Sequence, residues 1–87
     1  MTPSNESDHE NDAKLRSLLV DVFLMDEALY RDENGPDQIA GWDSLATVSM
    51  AVGVHETFGH HMTPQDVAKV KTIGDIKAYL RRQGVAL

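Results

Sequence analysis

Apolar residues in this chain recur at intervals of three and four, the spacing that places side chains on one face of an α-helix. The clearest run is formed by Leu15, Leu18, Leu19, Val22 and Phe23. It predicts a helix from Ala13 to Met25, which Asn11 or Asp12 can cap. No segment shows the two-residue alternation of a strand. With 87 residues and no cysteine, the chain has room for one small core that is held by packing alone.

Caps and breakers predict the remaining helices, which lie over residues 44–58, 64–68 and 73–82. Gly59 ends the first of them, Pro64 suits the first position of the second, and Thr72 caps the third. Residues 31–41 are predicted to be a loop because Asn34-Gly35-Pro36 blocks regular structure. We therefore predict an all-α fold, a small antiparallel bundle of three main helices plus one short helix. The domain spans residues 11–87, after a disordered acidic tail over residues 1–10.

The predicted helix over residues 44–58 is apolar on two nearly opposite sides. One side holds Met50, Ala51, Val54 and Phe58, and the other holds Leu45, Val48 and Val52. A small protein cannot easily bury both sides, and the first is the better core candidate. The second is then either a docking surface for another protein or a strip that a loop covers.

The charge of the chain excludes some classes of partner. Its net charge is -6, with -8 over residues 1–43 and +2 over residues 44–87. Acidity argues against binding to nucleic acid, which needs phosphate contacts from Lys and Arg, and suits basic protein surfaces. No apolar run is long enough to cross a membrane, and the first twelve residues lack the pattern of a signal peptide. We expect a cytoplasmic protein.

Two kinds of catalytic site are not supported by the sequence. His55-Glu56 opens like a zinc-protease motif, but position 59 is Gly where a second His is needed, and we predict no metal site. Ser44 and His55 would lie about three turns apart on one helix, too far for a catalytic hydrogen bond. We expect no catalytic residue.

The sequence Gly41-Trp42-Asp43-Ser44-Leu45 places a hydroxyl at the start of a helix. Asp43 is a suitable N-cap, and Ser44 follows where the positive end of the helix dipole favours a phosphate ester. Together with the rest of the chain, this stretch resembles the acyl carrier protein family, including peptidyl carrier domains. The match to the family's Gly-x-Asp-Ser-Leu pattern continues without a gap to Leu80. Its further elements are Ala46-Thr47-Val48, Phe58-Gly59, Lys69-Val70-x-Thr72-Ile73 and Tyr79-Leu80.

The resemblance implies that Ser44 receives a 4′-phosphopantetheine arm from coenzyme A through a phosphopantetheinyl transferase. The arm's thiol would carry acyl or aminoacyl thioesters between enzymes, and the protein itself, a monomer, would not be a catalyst. Its partners would be loading and processing enzymes of the ligase, acyltransferase, ketosynthase or condensation type. The implied partner-recognition residues are Asp43, Leu45, Val48, Val52 and Glu56. A cleft for the acyl chain would be lined by Thr47, Val54, Val67 and Val70.

The chain departs from bacterial fatty-acid carriers along its second helix. Ala46, Ser49 and His55 stand where those carriers have acidic residues, and only Asp43 and Glu56 remain of that series. This difference favours a carrier of a polyketide, nonribosomal peptide or related specialised pathway over one of fatty-acid synthesis. The alternative is a protein-interaction module that keeps the bundle and lacks the arm.

Overall fold

The computed structural model describes residues 3–87, with side chains from His9 onward. Within that range the chain forms four α-helices and one 3-10 turn, and no strand. They are α1 (Pro3–Phe23), the 3-10 turn (Glu27–Leu29), α2 (Ser44–Phe58), α3 (Pro64–Lys69) and α4 (Ile73–Arg82). The predicted all-α bundle of three main helices and one short helix is confirmed. None of the helices in the described part of the chain is long and apolar enough to span a membrane.

Helix α1 is longer at its N-terminus than the apolar stripe predicts. It begins at Pro3 rather than Ala13, and it ends at Phe23 rather than Met25. Proline is compatible with the first helical position, and no Gly or Pro follows it within α1. Residues 3–10, expected to be disordered, are therefore helical, while Met1 and Thr2 lie outside the described residues. The division of the chain at residue 11 stays a prediction.

The C-terminal half of α1 packs antiparallel against α2. At one end, the Phe23 ring stacks on the Trp42 ring with a centroid distance of 4.4 Å. Further along, a Cβ on Gly53 would overlap the Leu18 side chain, so glycine allows the two helices to approach. The fully buried side chains come from α1, α2, α4 and the long connection, and they are Leu15, Leu19, Phe23, Ile39, Met50, Val54, Ile73, Ile76 and Leu80.

The long connection between α1 and α2 is fixed to the start of α4 by hydrogen bonds. The carbonyl of Asn34 accepts from the Ile73 N–H, and that of Asp32 accepts from the Gly74 N–H, both at 2.9 Å. The Asp32 carboxylate also pairs with the Lys77 ammonium at 2.7 Å. These contacts satisfy N–H groups of the first turn of α4, which have no acceptor within the helix.

Tyr30 joins this connection to α1. Its hydroxyl donates to Asp12 Oδ1 at 2.7 Å, and the Lys77 ammonium lies 4.6 Å from the ring centroid. Burial, helped by the hydrogen bond to Asp12, raises the pKa of Tyr30 far above its usual value of 10.0. The phenol therefore stays a neutral hydrogen-bond donor at physiological pH.

The C-terminus of α1 ends in an uncommon conformation. Leu24 has a φ of 51°, in the left-handed region, and the Met25 N–H reaches back to the Val20 carbonyl at 3.2 Å. This is the 6→1 hydrogen bond of a Schellman motif, in which the left-handed residue is usually glycine. Leucine is disfavoured there because its Cβ crowds the backbone, and its side chain gains little from burial since it is 88% exposed.

Leu24→Gly is expected to raise the free energy of unfolding by up to about 1 kcal/mol, because relief of the left-handed strain exceeds the extra entropy of the unfolded chain. Lys14→Gly, at an exposed position inside α1, is the control and should lower that free energy by about 1 kcal/mol. Denaturant unfolding measures both. Equal losses in the two variants would contradict this account of Leu24.

Candidate functional site

Ser44 is the first residue of α2 and its side chain is exposed. Asp43 is the N-cap, with an extended backbone, and its carboxylate accepts the Ala46 N–H at 2.8 Å. The Asp43 carbonyl accepts the Thr47 N–H at 3.0 Å. The N–H groups of Ser44 and Leu45 have no acceptor within the helix, so they are available to an anionic group bound at Ser44.

The turn that precedes Ser44 is anchored in the core. A Cβ on Gly41 would overlap the carbonyl oxygen of Phe23, so no other residue fits without movement. Trp42, which follows, is only 8% exposed and stacks on Phe23 with its ring nearly parallel, at 3°. The backbone N–H of Trp42 donates to the Ile39 carbonyl at 3.1 Å. Ser44, whose hydroxyl is exposed, therefore follows the buried Trp42 ring by two residues.

The two sides of α2 are divided as the sequence predicts. Met50 and Val54 are fully buried, whereas Leu45, Val48 and Val52 are 79%, 58% and 53% exposed. No loop covers this second strip among the described residues, and the alternative of a covered strip is therefore wrong. Asp43 and Glu56 are also exposed. The five residues suggested for partner recognition lie along one surface that begins at Ser44, although their role stays a prediction.

A groove of about 430 Å³ lies between α2 and α3. Of the four residues suggested for an acyl cleft, Val67 lines it. Val54 and Val70 are buried in the core, and the Thr47 hydroxyl donates to the Ser44 carbonyl at 2.8 Å. The other lining side chains come from the exposed strip, the end of α2 and the connection to α3, and they are Val48, Ala51, Val52, His55, Glu56, His61, Met62 and Pro64.

Sequence reasoning did not find most of the residues that line this groove, and the acyl-cleft role suggested for Thr47, Val54, Val67 and Val70 stays a prediction. The available signal was the strip itself, since Ala51 and His55 follow Val48 at helical intervals. Met62 could not be placed, because its 4% exposure depends on how the connection after Gly59 turns. The groove is therefore continuous with the strip that starts beside Ser44.

The histidines of this region contact each other rather than Ser44. The rings of His55 and His61 meet edge to face with centroids 5.5 Å apart. His55 is eleven residues after Ser44 on the same helix, about 16 Å along its axis. Among the side chains that the structure describes, from His9 onward, no three His, Asp or Glu come together as metal ligands.

Known proteins similar to this chain share nearly its whole length. An acyl carrier protein of Bdellovibrio bacteriovorus is 27% identical over 73 residues, which cover 84% of this chain and 94% of that protein. One of Thermotoga maritima is 27% identical, with 82% and 88% covered. One of Chlamydia felis is 29% identical, with 86% and 95% covered. No protein-family model matches the chain.

Over most of its length, the chain is similar to acyl carrier proteins. These relatives are named acyl carrier proteins, which are non-catalytic carriers. The family resemblance read from the Gly-x-Asp-Ser-Leu stretch is confirmed. The structure explains the glycine at position 41. Because Gly41 has no side chain, the turn before α2 can pack against the end of α1.

Gly41→Ala should lower the free energy of unfolding by about 1–3 kcal/mol, because the new Cβ must displace Phe23 or the turn. It should also shift the emission of Trp42, the single tryptophan, as the ring leaves its stack. Gly59→Ala, at a φ of 77° with open space around it, is the control that strains the backbone far from Trp42. Unchanged emission and stability in Gly41→Ala would refute the proposed close contact.

Proposed function

We propose that Ser44 carries a 4′-phosphopantetheine arm and presents acyl or aminoacyl thioesters on it to successive enzymes. The observation that carries the proposal is an exposed serine at the N-terminus of a 15-residue helix, mounted on a fixed turn. A phosphodiester there is stabilised by the helix dipole and by hydrogen bonds from the N–H groups of the first turn. The similarity of the chain to acyl carrier proteins supports the same assignment.

The attachment reaction needs a phosphopantetheinyl transferase and coenzyme A. The Ser44 Oγ forms a bond to the phosphorus next to the pantetheine, the phosphoanhydride bond of coenzyme A breaks, and the adenosine bisphosphate leaves. The hydroxyl proton passes to a base of the transferase or to solvent. Since the chain has no cysteine, the arm supplies the thiol for the thioester. A tethered cargo then reaches each enzyme at high effective concentration.

The partners we propose are loading and processing enzymes of the ligase, acyltransferase, ketosynthase or condensation type, in the cytoplasm. They would meet the exposed strip of Leu45, Val48 and Val52, with Asp43 and Glu56 beside it. The groove next to this strip has Val48, Ala51 and Val52 on its α2 wall, and these apolar side chains can hold part of an acyl chain. Ala46, Ser49 and His55 reduce the acidity of this face and favour a polyketide, nonribosomal peptide or related pathway.

Incubation with coenzyme A, magnesium and a broad-specificity transferase should add one phosphopantetheine to the protein, as intact mass will show. Ser44→Ala should gain none, because the hydroxyl is the attachment point. Ser49→Ala, which removes another exposed hydroxyl of α2, is the control and should be modified normally. A folded wild-type protein that gains no mass from an active transferase would favour the unmodified interaction module.

Glu56→Lys should lower the kcat/KM of a cognate loading or processing enzyme by several-fold, mainly through slower association with a basic surface. Glu10→Lys makes the same change of charge at an exposed site on α1, away from the strip, and should have a smaller effect. Steady-state rates at low and physiological salt measure both variants. Equal effects of the two substitutions would mean that net charge alone matters and that Glu56 is not a contact.

A further inference from the structure

Leu24 is a surface residue that the fold does not require. Its exposed fraction of 88% is the highest among the large apolar side chains that the structure describes. Its φ of 51° is one that glycine or asparagine adopts more readily than leucine. An apolar side chain that is open to solvent and attached to a strained backbone contributes little to folding. A contact with another molecule would explain why leucine stands at this position.

Leu24 lies beside the modification site rather than at a remote end of the bundle. It directly follows Phe23, whose carbonyl abuts Gly41 and whose ring stacks on Trp42. Ser44 comes three residues after Gly41, a stretch that spans at most about 11 Å. A standard protein interface covers about 800 Å² on each partner, or a patch roughly 32 Å across. Leu24 and Ser44 therefore fit within one such footprint.

The surroundings of Leu24 are acidic. Between Ser17 and Ala68 the sequence has nine Asp and Glu and a single basic side chain, Arg31. Asp21 and Asp26, which flank Leu24 in the chain, are both exposed. A partner complementary to this region offers an apolar depression for the leucine and Lys or Arg side chains around it.

We propose that Leu24 is a contact residue for the transferase that modifies Ser44, and that it enters an apolar pocket bordered by basic side chains on that enzyme. The inference rests on the proposed modification of Ser44. We favour the transferase as the partner because its active site must reach the Ser44 Oγ itself. The surface of the transferase then lies over the adjoining end of α1. An enzyme that acts on the thiol of the arm can dock farther away.

The test compares the kcat/KM of phosphopantetheine transfer for wild type, Leu24→Gly, Leu24→Asn and Leu24→Met. Glycine and asparagine suit the left-handed backbone but remove the apolar side chain, and should lower kcat/KM roughly tenfold, mostly through KM. Methionine keeps the apolar bulk and should stay within about twofold of wild type. Because Leu24→Gly is expected to unfold less readily than wild type, its loss of rate cannot come from instability. Wild-type kcat/KM should also fall as salt rises.

Four outcomes would overturn the proposal. Equal kcat/KM in all four proteins would show that Leu24 is not in the footprint, while modification of wild type would leave the proposed carrier role intact. No modification of wild type would remove that role and this inference with it. A kcat/KM that does not change with salt would exclude basic side chains around the pocket of the transferase. Sedimentation that shows a wild-type dimer and a Leu24→Asn monomer, with unchanged kcat/KM, would mean that Leu24 contacts a second copy of the chain instead of the transferase.

Discussion

The stack of Phe23 on Trp42 is the contact on which the geometry of the site depends, because it joins the end of α1 to the turn before α2. Gly41 allows this contact, since a side chain there would overlap the Phe23 carbonyl. Ser44 is consequently held by the core while its hydroxyl remains exposed. A rigid base of this kind suits a flexible prosthetic arm, because the arm supplies the reach and the protein supplies a constant surface to recognise.

The size of the bundle explains why one apolar side of α2 stays exposed. With three main helices, only one side of α2 can be buried, and it is the side of Met50 and Val54. The opposite strip of Leu45, Val48 and Val52 stays in solvent and runs into the groove beside α3. Residues 17–68, which include this strip, hold nine Asp and Glu and a single basic side chain, Arg31. Apolar contact therefore supplies affinity for a partner, and the acidic surroundings favour partners with basic surfaces.

Local sequence patterns predicted most of the fold. Thr63 with Asp66 and Thr72 with Asp75 form capping boxes at the starts of α3 and α4, as their spacing indicates. The exposed side of α2 and the place of Ser44 also follow from residue spacing. Contacts between distant segments could not be predicted, because no local pattern specifies them. Examples are the hydrogen bond from Ile73 to Asn34 and the burial of Met62 at the groove.

Peptide mass spectrometry of the protein isolated from its own cells tests the central claim most directly. After proteolysis, the peptide that contains Ser44 should carry phosphopantetheine on that serine, and a fraction of it should bear an acyl group that hydroxylamine releases as expected for a thioester. The mass of that group would also identify the cargo. A Ser44 peptide that is entirely unmodified, in cells whose other carrier proteins are modified, would contradict the account.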